Sequence, residues 1–197
     1  MSVSFRYAVT ILVGAAVAAC GNNAVTPPPS VEATQVPTTT PPVTPAPSLA
    51  QAEATITPKG FRGILVGSGL DQYERRLRAG MLVDGEGSFG IYYIDGDADT
   101  APAILHPQPS AEGQIVFLIT VTKPGYSTPE GIGVGSTWAD LQAAYPGIEA
   151  HGSEIESRVY AQGGAYSFKL DANSVQHDLP RGVVTAGTRV TEINVRH

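Results

Sequence analysis

Thr128-Pro129-Glu130-Gly131-Ile132-Gly133-Val134-Gly135-Ser136 restates a phrase met earlier in the chain. The earlier copy reads Thr57-Pro58-Lys59-Gly60, then three extra residues, then Ile64-Leu65-Val66-Gly67-Ser68. Downstream features also recur in the same order. After Ser68 come Leu70, Tyr73 and Leu77, and after Ser136 come Trp138, Leu141 and Tyr145. Both sets fall at i, i+3, i+7, the spacing of one helix face. Ser68 and Ser136 stand where N-caps belong, with Asp71 and Asp140 in the first turns. Gly80 and Pro146-Gly147 supply the stops.

Period-two segments follow. Phe89, Ile91 and Tyr93 alternate in the first half, and Tyr166, Phe168 and Leu170 in the second. The halves close on Val116, Ile119, Val121 and on Val190, Ile193, Val195. Such alternation buries one face of a strand. The expected fold is therefore α+β, with two tandem helix-plus-antiparallel-sheet modules arising by duplication, at 57–125 and 126–197. Each sheet would be covered on one side and free to bind on the other.

Gly131-Ile132-Gly133-Val134-Gly135-Ser136-Thr137-Trp138-Ala139-Asp140-Leu141 and the strand at 190–195 resemble modules of the beta-lactamase inhibitory protein and of small outer-membrane assembly lipoproteins. The resemblance covers about a third of the domain and lacks the usual second helix and disulfides. It implies a non-enzymatic, protein-binding role and transfers no functional residue.

Upstream, residues 20–56 are low in complexity and rich in Pro and Thr, as in Thr38-Thr39-Thr40-Pro41-Pro42-Val43-Thr44-Pro45-Ala46-Pro47. So little apolar content cannot offset chain entropy. Clustered proline favours extended polyproline II at about 3.1 Å per residue, so thirty residues reach on the order of 90 Å. A disordered but semi-rigid stalk is expected.

Residues 1–19 read as a signal peptide: Arg6 near the start, an apolar run over 8–19, then small residues before Cys20. The run is shorter than the ~20 residues a membrane span needs. Val17-Ala18-Ala19-Cys20 resembles the bacterial lipobox, which implies diacylglycerol on the Cys20 thiol, cleavage before it and often acylation of the new amine. Two or more acyl chains anchor stably where one does not. Gly21, in place of a retaining aspartate, favours the outer membrane in a Gram-negative host. Cys20 is the only cysteine in 197 residues, so the domain must fold without disulfides.

The net charge of −6 becomes more negative once Arg6 is removed, which argues against nucleic acid as a partner. The expected partners are the membrane, through the anchor, and an envelope protein. Gly131-x-Gly133-x-Gly135-Ser136 lacks the lysine and spacing of a phosphate loop and reads as a turn. Asp95, Asp97 and Asp99 have the 1-3-5 spacing of a calcium loop, but positions 6 and 12 are Thr100 and His106 rather than Gly and Glu. A solvated acidic turn is expected there, with Asp95, Asp97 and Asp99 as a weak calcium candidate. His106, His151, His177 and His197 are scattered and form no zinc motif. No catalytic residue and no cofactor is assigned. Arg75, Arg76 and Arg78 read as a solvated helix end, and Tyr92, Tyr126 and Tyr160 as candidate exposed binding residues. The expected function is a lipid-anchored envelope binding or scaffolding module. The alternative is an envelope hydrolase or carbohydrate-binding domain.

Overall fold

A computed structural model describes residues 53–84, 87–154 and 156–197. The expected signal peptide, Cys20 and nearly all of the expected stalk lie outside the described residues.

Three two-residue strands, β1 (Ile56–Thr57), β2 (Gly60–Phe61) and β3 (Ile64–Leu65), form a small antiparallel sheet. A 3₁₀ helix (Leu70–Arg76) leads into β4 (Leu77–Asp84), β5 (Gly87–Ile94), β6 (Ala103–Ser110) and β7 (Gly113–Val121). Helix α1 (Trp138–Ala144) leads into β8 (Ala150–Gly152), β9 (Arg158–Gly163), β10 (Tyr166–Asn173) and β11 (Val190–Arg196). These eight longer strands make one antiparallel sheet in the order β4-β5-β6-β7-β11-β10-β9-β8.

The α+β expectation of two tandem helix-plus-sheet modules is therefore wrong. Among the described residues the protein is mostly β, the helices at 70–76 and 138–144 are seven residues each, and one sheet crosses the 125/126 boundary. The crossing pairs Ile193 with Val121 and Val195 with Ile119. Separate sheets would leave both closing strands as edges with unpaired N–H and C=O groups, and their pairing removes both edges.

The first helix also departs from expectation, being 3₁₀ rather than α. Residues three apart share a side in a 3₁₀ helix as well as in an α-helix, so Leu70 and Tyr73 fit either. Leu77 is already in β4, and Gly80 is not a stop but lies beneath the Tyr93 ring inside that strand. Ser68 does not cap: its hydroxyl donates to Leu65 C=O. Ser136 does not cap either, but accepts from Gly133 N–H at 3.0 Å. The cap of α1 is Thr137, whose hydroxyl accepts from Asp140 N–H while the Asp140 carboxylate accepts from Thr137 N–H.

The core lies on one face of the large sheet. Leu105, Val116, Ile119, Val121, Phe168, Leu170, Ile193 and Val195 are all buried there. Ile56, Phe61 and Ile64 of the small sheet, Leu70 of the 3₁₀ helix and Leu141 of α1 complete the buried cluster. Tyr166 fastens the small sheet to the large one by donating its hydroxyl to Ile56 C=O at 3.0 Å. A parallel bridge joins Thr55 and Ser127, which stand just before the two related phrases. Gly131 and Gly135 take φ of 85° and 98°, which glycine adopts at no steric cost, so the glycine-rich stretch is a turn.

Candidate functional site: the second face of the sheet

Alternation that sends apolar residues into the core sends their neighbours to the opposite face. Register then decides which of those neighbours meet. One row crosses six strands: Tyr93, Ile104, Thr120, Asn194, Ser167 and Gln162, each directly paired with the next. A second row joins Glu192, Lys169, Tyr160 and His151, and a third joins His106, Leu118 and Arg196. All of these residues except Tyr93, Lys169 and His151 line an open cleft of about 590 Å³ that Leu82 and Phe89 border on the β4–β5 side.

The centre of this face is a polar network. The Thr120 side chain, on a residue only 6% exposed, donates to Asn194 Oδ1 at 2.7 Å. Its oxygen lies 3.3 Å from His106 Nε2. With the Thr120 proton committed to Asn194, His106 is the donor here, which fixes the Nε2–H tautomer. Burial pushes the His106 pKa down, so the ring is neutral at physiological pH.

The charges nearby are mostly paired. Lys169 Nζ meets Glu192 Oε1, and Arg158 Nη1 lies 3.1 Å from Glu156 Oε1. Tyr160 donates to Glu156 Oε2 at 3.0 Å, and burial raises its pKa, keeping the phenol a donor. Arg196 has its guanidinium over the Phe117 ring, 5.2 Å from the centroid. Among the described residues it makes no ion pair, so a cation remains for a ligand at the end of β11.

No protein-family model matches the chain, and no curated protein does. A solved structure does match. It is the crystal structure of the uncharacterized protein yfeY from Escherichia coli, with a TM-score of 0.51 and 12% identity, covering 73% of this chain and 99% of that one. At that identity the likeness extends to the fold alone.

Apart from His106 and Tyr160, the residues singled out from sequence fall elsewhere. Cys20 lies outside the described residues. Asp95, Asp97 and Asp99 are not brought together as a ligand set among the described residues. Asp95 is held by Arg76, through Nε at 2.8 Å and through Nη2, and by Arg62 at 3.2 Å. Asp97 Oδ1 accepts from Thr100 Oγ1 at 2.7 Å and from the backbone N–H groups of Asp99 and Thr100. Those bonds hold the Asp97 carboxyl below the usual carboxylate range. Arg76 is thus an ion-pair partner rather than part of a solvated helix end, and Arg78 sits in β4. Tyr92 packs on the core, and Tyr126 meets Phe61 edge-on at 4.9 Å. Of the three candidate tyrosines only Tyr160 lines the cleft. Sequence reading missed Thr120, Asn194, Ser167 and Gln162. Their only signal is that each alternates with a core residue, which is equally true of any solvated strand face.

Proposed function

We propose that this chain is a lipid-anchored protein of the bacterial envelope whose domain acts by binding, and that it binds through the second face of the eight-stranded sheet. The anchor rests on Val17-Ala18-Ala19-Cys20 and on the proline-rich stretch that follows it. In a Gram-negative host, Gly21 favours the outer membrane. The observation that carries the binding reading is the row Thr120–Asn194–Ser167–Gln162, bordered by Ile104 and the apolar Leu82 and Phe89. Hydrogen-bonding groups at fixed spacing on rigid strands, beside apolar surface, suit recognition. A segment of an envelope protein is the favoured ligand. A glycan is the second reading, supported by the amides of Asn194 and Gln162 beside the Tyr160 phenol. A hydrolase has less support, because His106 is bonded to Thr120 and no carboxylate bonds its ring among the described residues.

The test is photo-crosslinking in cells. A photoreactive side chain replaces Gln162 on the cleft or, as a control, Gln142 on the exposed side of α1. A discrete adduct from Gln162 and none from Gln142 is expected. A protease-resistant, glycan-sensitive adduct would select the second reading. Equal labelling at both positions, or none at either, would remove the support for this face. In parallel, labelled fatty acid should enter the wild-type chain and not Cys20→Ser.

A further inference from the structure

We propose that the β8 edge of the sheet carries a binding site for a divalent transition-metal ion of the zinc class, held by His151, His177 and Asp178. His151 is the central residue of β8, and the other two lie in the connection between β10 and β11. The His151 and His177 rings stack with centroids 4.5 Å apart at 22°. One ligand atom from each of the three residues lies within 4.8 Å of the others. Glu149 adds a second carboxylate, 3.9 Å from His151 Nε2. Two imidazoles and a carboxylate suit zinc and its neighbours, whereas calcium and magnesium prefer oxygen alone.

The backbone that presents these donors is held in place. Gly152 N–H donates to His177 C=O at 3.1 Å, and Ser174 N–H to Ser157 C=O at 3.1 Å. Ser174 Oγ then closes a turn by bonding both N–H and C=O of Gln176. The connection lies so close to β8 that a Cβ on Gly152 would collide with the carbonyl oxygens of Ser174 and Gln176. The side chains keep freedom, since those of His177 and Asp178 are 65% and 101% exposed. Bonds of about 2.1 Å set tetrahedral donors about 3.4 Å apart, so donors that lie within 4.8 Å of one another need to close by at most about 1.4 Å. Three protein donors leave the fourth position to water or a ligand, and the surface setting keeps it open. A bound ion would staple the connection to the short edge strand.

The test uses the full-length chain in detergent, without a polyhistidine tag, titrated calorimetrically with zinc chloride. Saturable one-to-one binding with a dissociation constant of the order of micromolar is expected, with no heat from calcium or magnesium. His151→Ala and His177→Ala should each weaken it by about tenfold or more, and Asp178→Asn by less. Zinc at about one hundred times its dissociation constant should raise the unfolding midpoint of the wild type by several degrees. The double variant His151→Ala/His177→Ala should lose that rise while keeping the wild-type circular dichroism spectrum. No saturable zinc heat, or unchanged affinity in the double variant, overturns the site. Loss with His106→Ala instead would place the ion in the cleft and overturn it equally.

Discussion

Asp95 takes a left-handed φ of 50° between two guanidinium groups, and it shows how one carboxylate is spent on structure. Arg76 grips it with a two-pronged fork and donates its remaining prong to Arg62 C=O at 2.7 Å. Asp95 N–H returns a bond to Arg76 C=O at 2.8 Å. The cluster ties the β2–β3 turn to the start of β4 and the end of β5. The hydrogen bond from Arg76 holds the Asp95 carboxyl below its ordinary range, against the opposing effect of burial. A lowered folded-state pKa contributes stability above the unfolded value of about 3.9 and loses it as pH falls through the folded one. Asp95→Asn is therefore expected to cost about 1–2 kcal/mol in urea unfolding at pH 7. Wild type and variant should begin to converge below the unfolded Asp value and meet once pH has fallen through the lowered folded one. A pH-independent difference would assign the cost to shape rather than charge.

Among the elements, α1 is short and relies on the side chain that caps it. Seven residues is too short a helix to persist without tertiary support, and its first turn is closed by the reciprocal Thr137–Asp140 box. Thr137→Ala should cost about 1 kcal/mol in denaturant unfolding, and Thr137→Ser should recover most of it. The strands show a comparable local logic. His106 pairs with Leu118 and Pro107 with Val116, so Phe117 is an extra residue on β7. This bulge falls beside a proline, where a regular ladder would lose a bond anyway. Pro107 and Pro109 are tolerated in β6 because β5 pairs with it only over Ala103, Ile104 and Leu105. The prolines also hide this strand in the sequence, because they suggest a loop unless the partner strand is known to diverge.

Across the whole molecule, a helix followed by a four-stranded meander occurs twice, and the two meanders meet at β7 and β11. Phe168 lies close to that junction on β10, fully buried, with the Tyr145 and Tyr166 rings at 5.5 and 6.0 Å. Phe168→Ala should destabilise the chain by about 3–5 kcal/mol, through lost transfer energy and the cavity left behind. One cooperative unfolding transition, shifted as a whole, is expected. Separate transitions for residues before and after 126 would contradict a continuous sheet.

The alternation at Tyr166–Phe168–Leu170 and the closing apolar sets of both halves were legible because a strand's burial pattern is written in adjacent residues. The turn at Gly131–Gly135 and the helix after it were legible on the same ground. A disulfide-free core followed from composition. Which strands are neighbours was not legible, since β7 meets β11 from far along the chain and every antiparallel pairing uses the same backbone groups. The polar row from Thr120 to Gln162 exists only through that register, and His151 meets His177 only because the connection between β10 and β11 packs on β8. Local periodicity determined which side chains of a strand are buried. The tertiary structure decided which of the remaining ones stand together, because that depends on hydrogen bonds between strands the sequence holds apart.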